Sequence, residues 1–297
     1  MDKEILDSFI LSGKICSEAR EYGKSLIKEG ESLLEVTKKI EQKILSMNGR
    51  MAFPPQISKN AIAAHYCAKY KDDTIFSYGD IIKLDLGVEI NGYVTDTAVT
   101  VYLGDDENIK RLVEASRKAL ENALRIVKPG VKTSEIGREI ENTIKEMGFN
   151  PIKNLSGHGV GRYDIHSEPN IPNFDTRDSI RLNEDQLIAI EPFATRGIGL
   201  VSEKEDYEIF MQQAKKPVRN LFTRQVLDQI STYNGLPFAK RWLIEKFNEF
   251  KVNIALKELL QLNIIKPFGP LVERSNNLVS QAEHTVIVSE HPIVLTK

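Results

Sequence analysis

Two apolar, β-branched runs meet at an Asn-Gly pair in the stretch Ile82-Lys-Leu-Asp-Leu-Gly-Val-Glu-Ile-Asn91-Gly92-Tyr-Val-Thr-Asp-Thr-Ala-Val-Thr-Val101. Asn-Gly between such runs is the strongest short-range signal for a two-residue β-hairpin turn. The stretch therefore predicts two antiparallel strands that lie inside an apolar sheet, and the rest of the fold can be worked out from their position.

The pairing that this turn imposes brings two carboxylates together. Gly87 pairs with Asp96, and Asp85 lies two residues from Gly87, so Asp85 and Asp96 share one face of the hairpin. They are diagonal neighbours, with backbones roughly 7–8 Å apart and side-chain tips closer. Two acids in the middle of an apolar sheet repel each other unless a cation or a proton joins them. The hairpin therefore predicts a metal site.

Length and composition are those of an ordinary globular protein. The 297 residues are 41% hydrophobic and 28% charged, with a formal net charge of −2, so no global attraction to nucleic acid or anionic membrane is expected. Cys16 and Cys67 show no paired spacing, which argues against a disulfide framework. No apolar run approaches the ~18 residues of a membrane span, and the first residues lack a signal-peptide pattern. We expect a cytoplasmic monomer without membrane or sequence-specific DNA partners.

Residues 27–47 and 127–147 align without a gap, which indicates an internal repeat. Seven positions are identical, namely Lys28/Lys128, Gly30/Gly130, Glu35/Glu135, Ile40/Ile140, Glu41/Glu141, Ile44/Ile144 and Met47/Met147. Each copy predicts a helix, a Lys-x-Gly turn and a second helix that ends shortly after its Met, at Gly49 and Gly148. Strands follow both copies and deliver a carboxylate at their far ends, Asp85 and Glu191. We therefore predict a pseudo-symmetric α/β fold, with an antiparallel sheet inside and paired helices outside.

Residues 207–266 interrupt the second half with a helical pattern, predicted as helices over 218–233, 237–250 and 253–262. We interpret this segment as an inserted helical subdomain that splits the second-half hairpin, with residues 1–206 and 267–297 as the catalytic domain. Its basic residues outnumber the acidic ones and are Lys215, Lys216, Arg219, Arg224, Lys240, Arg241, Lys246, Lys251, Lys257 and Lys266. They are either solvated helix faces or a contact to a nascent chain or ribosomal RNA.

Four segments carry a resemblance to a known family. They are Lys83-Leu-Asp85-Leu-Gly-Val with Gly92-Tyr-Val-Thr-Asp96, then Ser156-Gly-His158-Gly-Val-Gly, Ile190-Glu191-Pro-Phe and Gln281-Ala-Glu283-His284-Thr. In this order they resemble methionine aminopeptidase over essentially the whole chain. The insert resembles the type II class, and the absence of a long charged N-terminal extension resembles its archaeal members.

The resemblance implies the "pita-bread" α/β fold with a dinuclear metal centre. By position, Asp85 would bind one metal, His158 and Glu191 the other, and Asp96 and Glu283 would bridge both. Four carboxylates and one imidazole are a hard, oxygen-rich set that suits Mn²⁺, Fe²⁺, Co²⁺ or Zn²⁺, and the sequence does not choose among them.

The resemblance also implies roles in catalysis. A metal-bridging hydroxide would attack the peptide carbonyl. His166 would hydrogen-bond the carbonyl oxygen or the tetrahedral intermediate, and His65 would contact the substrate near the scissile amide. Glu191 would move the proton from water toward the leaving amine.

Substrates implied by the resemblance are nascent chains and peptides with an N-terminal methionine. Phe53 and Ile165 match positions that line the apolar methionine pocket, and Phe268 is a further candidate. A small space beyond the scissile bond would restrict the second residue to small side chains.

Three alternatives stay open at this point. The loop Gly157-His-Gly-Val-Gly161 could suggest dinucleotide binding, but no long helix follows it, so we expect its glycines to let backbone pack closely beside a metal ligand. A proline-specific peptidase of the same fold would share the five ligands. A non-catalytic, RNA-associated relative would have lost metal ligands, whereas all five are present here.

Overall fold

The computed structural model describes residues 1–297, and its elements form two halves and one insert. The first half comprises α1 (Lys3–Leu26), α2 (Leu33–Ser46), β1 (Arg50–Lys59), β2 (Ile62–Ala64), β3 (Ile81–Ile90) and β4 (Tyr93–Tyr102). The second half starts with α3 (Glu107–Ile126), α4 (Thr133–Glu146), β5 (Asn150–Pro151), β6 (Ser156–Gly161), β7 (Asp164–Pro172), β8 (Leu187–Ile190), β9 (Phe193–Thr195) and β10 (Val201–Glu203).

The remaining elements belong to the inserted region and to the chain that returns from it. They are β11 (Ile209–Gln212), α5 (Leu221–Ser231), β12 (Phe238–Ala239), α6 (Lys240–Ile244), α7 (Glu249–Gln261), β13 (Ile265–Phe268), β14 (Leu271–Glu273), β15 (Val279–Gln281), β16 (Glu283–Ile287) and β17 (Ile293–Val294). None of these helices combines the length and the apolarity that crossing a membrane requires.

The β3–β4 hairpin forms with the predicted register. Gly87 pairs with Asp96, and the turn residues Asn91 and Gly92 have φ angles of 55° and 88°. Two successive left-handed residues are what a type I′ turn needs, and Asn followed by Gly adopts them at low cost. The prediction of the hairpin is confirmed.

One antiparallel sheet of eight strands joins the two halves. Its order is β1-β3-β4-β16-β8-β6-β7, and β17 pairs with β16. At its middle β4 pairs with β16, which places Glu283 opposite Ala98. The strand pair β3–β4 from the first half therefore lies beside the strand pair β8–β16 from the second, as the predicted pseudo-symmetric α/β fold requires.

The repeated helices cover the sheet and form two separate cores. Ile40 and Ile44 of α2 are fully buried in one apolar cluster, and their repeat partners Ile140 and Ile144 of α4 are fully buried in the other. The apolar positions that recur at three- and four-residue spacing therefore face the sheet in both halves.

The end of the second helix in each copy differs from the prediction at one residue. Gly148 has a φ of 87°, but its repeat partner is Asn48 with a φ of 62°, and Gly49 instead leads into β1. Asn tolerates the left-handed conformation that ends a helix, so the identity of the glycine is not needed at that position.

In the second half, the chain between β8 and β16 forms three further antiparallel strand pairs, which we call the ladder. Beyond the pairing of β8 with β16, β9 pairs with β15, β10 with β14 and β11 with β13. Helices α5, α6 and α7 lie at the end of this ladder around an apolar cluster of their own. We call residues 207–266 the insert, and the division of the chain into domains stays a prediction.

One predicted helix of the insert is wrong. Residues 237–250 form β12, which pairs with β11, then the short α6 and a turn. The Asn248 side chain accepts hydrogen bonds from Phe250 N at 3.0 Å and Lys251 N at 3.4 Å, so a new helix begins there. Strand pairing and an internal cap override the helical periodicity of the segment.

Candidate metal centre and substrate cavity

The five predicted ligand residues converge on the middle of the sheet. One ligand atom each from Asp96, His158 and Glu283 lie within 4.8 Å of one another, and so do atoms from Asp85, Glu191 and Glu283. Glu283 belongs to both groups and joins them. The convergence follows from the strand order, because β3, β4, β16, β8 and β6 are successive neighbours and each supplies or precedes one of these side chains.

Half of the eight carboxylate oxygens in this centre are buried without a hydrogen-bond partner. Asp85, Asp96 and Glu283 are buried, and Asp85 Oδ1, Asp96 Oδ1 and both oxygens of Glu283 accept no hydrogen bond. Burying an anion without compensation costs several kcal/mol, so such groups pair, bind metal or take up a proton. The donor set therefore fits divalent cations, which compensate all four carboxylates at once.

The pKa values of the four carboxyl groups in the protein without bound cations also favour a cation site. Burial raises the pKa of Asp85 to about 7. Burial first, and the nearby carboxylates second, raise the pKa of Asp96, Glu191 and Glu283 well above their ordinary values. The folded chain therefore holds protons on these acids unless cations replace them.

His158 is held in the state that a metal ligand needs. Its Nδ1 lies 3.1 Å from the carbonyl oxygen of Gly159, which can only accept, so Nδ1 carries the proton. Nε2 then presents its lone pair toward the centre, 3.8 Å from Asp96 Oδ2. Burial, with His166 as the second cause, lowers the pKa of His158 to about 3 and keeps the ring neutral.

The glycines around His158 have the predicted packing role. A Cβ atom at Gly157 would collide with the backbone oxygen of Ala189, and one at Gly159 with that of Glu168. Only glycine lets β6 approach β7 and β8 this closely. This confirms that the glycine-rich loop serves close backbone packing.

Gln281 is a residue of the centre that sequence reasoning missed. Its Nε2 donates to Asp85 Oδ2 at 3.1 Å and to Glu191 Oε1 at 2.7 Å, so one amide spans a carboxylate from each half. The signal was available, because Gln281 lies two residues before Glu283 in an extended segment and such residues share a face.

Threonine hydroxyls, also missed, hold the two central strands together. Thr285 Oγ1 accepts from Asp96 N at 2.8 Å and donates to Asp96 O at 2.9 Å. Thr97 Oγ1 donates to Glu283 O at 2.9 Å. Arg20 of α1, buried beneath the sheet, donates to Thr97 Oγ1 at 2.7 Å. The backbones of Asp96 and Glu283 are thus fixed to each other.

A cavity of about 320 Å³ opens beside this centre. The predicted pocket residues Phe53, Ile165 and Phe268 all line it, together with His65 and His166. Phe53, Ile165 and Phe268 form an apolar part of the wall, and besides the carboxylates and histidines the polar lining includes Asn154, Ser156, Ser167, Glu168 and Asn170.

Phe53 packs onto the β3–β4 hairpin because residue 87 is glycine. A Cβ atom at Gly87 would collide with the Phe53 ring. Gly87 pairs with Asp96, so the same cross-strand position brings the apolar wall next to a carboxylate of the centre.

The two remaining predicted histidines border the cavity differently. His65 has a left-handed φ of 65°, its backbone N donates to Gln56 Oε1 at 2.7 Å, and its Nδ1 has no partner. Strained backbone of this kind persists where the surroundings hold it and is frequent at functional sites. The His166 ring packs edge-on against His158 at 4.6 Å between centroids. Burial lowers the pKa of His65 to about 4 and also lowers the pKa of His166.

Other cavity residues were not foreseen. Ile209 and Pro237 come from the insert and Leu271 from β14, and all three complete the apolar wall. No local pattern marks them, because they reach the cavity only through the fold of the insert. His284, adjacent to a ligand position, lies 3.0 Å from Thr296 Oγ1 through Nδ1 and does not line the cavity.

Comparison with known proteins agrees with this geometry. The family model of metallopeptidase family M24 matches residues 9–226. A protein named methionine aminopeptidase from Methanothermobacter thermautotrophicus is 41% identical over 97% of this chain and 97% of its own length. Another of that name from Pyrococcus abyssi is 43% identical over 98% of this chain and 99% of its own.

Solved structures share the fold. A methionine aminopeptidase from Thermotoga maritima superimposes with a TM-score of 0.75 at 23% identity, covering 100% of this chain and 98% of that one. A thermophilic Arx1 superimposes with a TM-score of 0.87 at 16% identity, covering 99% and 91%. At these identities the match describes the fold alone, which is the predicted pita-bread fold.

Proposed function

The chain belongs to metallopeptidase family M24, and we propose on that basis that its buried carboxylates hold two divalent cations for the release of N-terminal methionine. The protein is a metallo-aminopeptidase of the archaeal methionine aminopeptidase type, and its family binds divalent metal. The number of cations, their identity among Mn²⁺, Fe²⁺, Co²⁺ and Zn²⁺, and the role of each residue are our proposal.

One observation carries the metal assignment. Three buried carboxylates, the half-buried Glu191 and a neutral histidine converge in two groups, and four of the carboxylate oxygens have no other partner. The family resemblance assigns Asp85 to one cation and His158 with Glu191 to the other, and we keep that assignment as the proposal, although Glu191 here lies in the group of Asp85 and Glu283, and His158 in that of Asp96 and Glu283. Glu283, which belongs to both groups, would bridge, and Asp96 would bridge from the neighbouring strand.

The residues around the cations would orient the peptide and move its protons. When bound, the cations supply Lewis acidity that polarises the scissile carbonyl and makes a water nucleophilic near neutral pH. His166 would donate a hydrogen bond to the oxygen where negative charge develops. Glu191 would pass a proton from the water to the leaving amine, and we assign Oε2 to it because Oε1 already accepts from Gln281.

His65 would contact the peptide near the scissile amide. Its imidazole borders the cavity, and its Nδ1 is buried without a partner and is thus free to bond a substrate group. The lowered pKa of His65, due first to burial, keeps the ring neutral at pH 7, so that it can donate from one nitrogen and accept at the other.

The apolar end of the cavity would hold the methionine side chain. Phe53, Ile165 and Phe268 offer aromatic and branched surfaces, which make favourable contacts with a thioether. We propose that the limited space beyond the scissile bond selects small second residues. Excluding a larger side chain costs the competing substrate about 1–3 kcal/mol per misfitting group.

A proline-specific peptidase was the nearest alternative. The relatives that match almost the whole chain at 41% and 43% identity are named methionine aminopeptidase, which favours methionine release. We propose to test this with Met-Ala, Met-Val and Met-Leu peptides and an Ala-Pro dipeptide, after chelation and after adding back each metal separately. Metal-dependent release from Met-Ala, with little from Met-Leu and none from Ala-Pro, is expected. Cleavage of Ala-Pro alone would establish the alternative.

The substrates would include nascent chains, and the insert is the surface that we propose for contact with the ribosome. It carries ten Lys and Arg residues against five Asp and Glu residues, within a chain whose net charge is −2. A basic surface attracts polyanions in a salt-dependent manner. Co-sedimentation with ribosomes at low and high salt, compared with a variant in which Lys215, Lys216 and Arg219 are replaced by Ser, tests this contact.

A further inference from the structure

The segment Leu236–Pro237 of the insert forms part of the wall of the apolar pocket. Pro237 lines the cavity directly. Leu236 is buried in the small apolar cluster that also contains Phe53 and Ile165, the two residues assigned to the methionine side chain. The position of this segment therefore helps to set the space available to the first residue of a substrate.

A second cavity lies on the other side of this wall. It has a volume of about 650 Å³, and Leu236, Met51, Tyr233 and Trp242 are among its lining residues. Because the wall segment has open space behind it, packing from behind does not hold it against the substrate cavity. Interiors are normally filled to crystal-like density, so something else must keep the segment forward.

A buried ion pair shortly after the wall provides that hold. Arg241 of α6 is 1% exposed, and its Nη2 and Nη1 lie 2.6 and 3.2 Å from Oε1 and Oε2 of Glu41 in α2. Trp242 Nε1 donates to Glu41 Oε1 at 2.8 Å. Three hydrogen bonds thus converge on one carboxylate of the first half from two adjacent residues of the insert.

The contact between Arg241 and Glu41 fixes the position of α6 relative to α2. A two-pronged guanidinium–carboxylate pair fixes both distance and orientation, and lysine does not reproduce it. Arg241 Nη1 also lies 3.1 Å from Glu245 Oε1, so loss of Glu41 leaves the buried guanidinium with this exposed carboxylate as its one remaining partner, whereas replacing Glu41 and Arg241 together by apolar residues of similar size is tolerated. Between Pro237 and Arg241 lie only β12, which pairs with β11, and the first residue of α6, so the wall is closely tied to the pair.

The repeat offers an internal comparison for Glu41. Its partner in the second copy, Glu141, contacts Lys145 and Lys153 and accepts from Asp175 N at 3.1 Å. These are neighbours within the second half, and no residue of the insert is among them. The same repeat position is thus used locally in one half and for holding the insert in the other.

We propose that Glu41, Arg241 and Trp242 are positioning residues that hold the wall Leu236–Pro237 forward and thereby exclude first residues bulkier than methionine. This inference rests on the proposed function, because it assigns the apolar end of the cavity to the first side chain. When the ion pair is weakened, the wall moves back toward the second cavity and the pocket widens.

The test compares Glu41→Gln with the matched control Glu141→Gln on Met-Ala-Ser, Leu-Ala-Ser and Phe-Ala-Ser. For Glu41→Gln we expect KM for Met-Ala-Ser to rise roughly tenfold with kcat within about twofold, as loss of a positioning contact predicts. The ratio of kcat/KM for Phe-Ala-Ser to that for Met-Ala-Ser should rise roughly tenfold, whereas Leu-Ala-Ser, whose first side chain is no larger than methionine, should change less. Metal content should not change, and Glu141→Gln should match the wild type in all respects.

The double variant Glu41→Leu/Arg241→Met guards against a folding failure, because it leaves no buried charge unpaired. It should fold, bind metal like the wild type and show the same widened specificity. Wild-type KM and wild-type selectivity in both Glu41→Gln and the double variant would overturn the proposal.

Amide hydrogen exchange separates this inference from the proposed function. In Glu41→Gln, exchange at the amides of Leu236, Phe238 and Ala239 should accelerate at least roughly tenfold relative to Glu141→Gln, with the rest of the chain unaffected. Faster exchange in a protein that releases no methionine would sink the proposed function and leave the role of the ion pair intact. Unchanged exchange, with peptide cleavage as expected, would sink the positioning role alone.

Discussion

The two halves of the molecule contain equivalent strand pairs, but the connection between the two strands differs. In the first half, Asn91-Gly92 closes β3 and β4 with two residues. In the second half, β8 and β16 hold the equivalent places, but the chain runs on through the ladder and the whole insert before it returns. The halves supply comparable carboxylates and both line the substrate cavity, yet only the second is interrupted by an insert that adds Ile209 and Pro237 to the cavity wall. Both repeated halves thus contribute carboxylates to the metal centre. We infer that substrate specificity depends on the insert, which is present in the second half alone.

The largest effect is expected where the halves meet. Asp96→Asn on β4 and Glu283→Gln on β16 each remove one negative charge from adjacent strands. Each should lower turnover of Met-Ala-Ser at least roughly a thousandfold and reduce the metal content, because a bridging carboxylate serves both cations. Elemental analysis and peptide assays on the same samples measure this. Full activity in Asp96→Asn would refute the dinuclear assignment.

Replacing His166 of the second half should affect turnover more than replacing His65 of the first half. His166→Ala, in the second half, should lower kcat roughly 100- to 1,000-fold with metals retained, as for loss of one donor to a developing oxyanion. His65→Ala, in the first half, should act more on KM. His291→Ala, exposed near the C-terminus, serves as the control and should be neutral. Loss of metal in His166→Ala would mean that this residue is a ligand.

Removing the metals should make stability depend on pH. The pKa of Asp85 is raised from 3.8 to about 7 in the fold, so the folded chain binds more protons than the unfolded one and loses stability as pH rises through this interval. His65 and His158, whose pKa values are lowered, act oppositely below 6.5. Asp96, Glu191 and Glu283 also have raised pKa values, partly because of Asp85, and act in the same direction as Asp85. Asp85→Asn retains both histidines and removes the titration of Asp85 together with its effect on these three acids.

The melting temperature of chelator-treated protein at pH 5 and pH 8 measures this effect. The wild type should melt lower at pH 8 relative to pH 5 by roughly 5 °C more than Asp85→Asn does. Adding back a divalent cation at pH 8 should raise the melting temperature of the wild type. Equal pH dependence in the two proteins would show that Asp85 is not destabilised by burial.

The smallest effect concerns the turns themselves. Gly92→Ala places a Cβ atom into the Tyr163 ring at a φ of 88°, whereas Gly235→Ala in the insert, at a φ of 86°, meets no atom within 4 Å. Both should lower the free energy of unfolding by about 1 kcal/mol through the left-handed backbone. Gly92→Ala should lose about 1–2 kcal/mol more through the clash. Denaturant midpoints measure the difference, and equal losses would mean that Tyr163 moves aside freely.

Local sequence patterns were sufficient for the hairpin and for the shared face of two proposed ligands, whereas His158, Glu191 and Glu283 were identified through the family resemblance. The register of β3 and β4 follows from one turn and a period of two, so the shared face of Asp85 and Asp96 could be derived from neighbouring residues alone. The helix predicted over 237–250 failed because its pairing partner, β11, lies far away in the chain. Apolar spacing in a short segment does not report such a partner.

Side chains that support the centre were missed for the same reason. Gln281 reaches Asp85, Thr285 reaches Asp96 and Arg241 reaches Glu41, and each contact joins residues nearly two hundred positions apart or more. No periodicity links the members of such a pair, and nothing in a single sequence tells a buried Arg from a solvated one.

The amino-acid sequence by itself determined the duplicated units, the turn between β3 and β4, and the shared face of Asp85 and Asp96, because backbone geometry and side-chain alternation act over a few residues. Tertiary structure alone decided how the insert sits against the first half, and with it the shape of the substrate cavity. That decision depends on a buried charge finding its counter-charge, and the free energy of such a pair exists only once the fold has removed both from water.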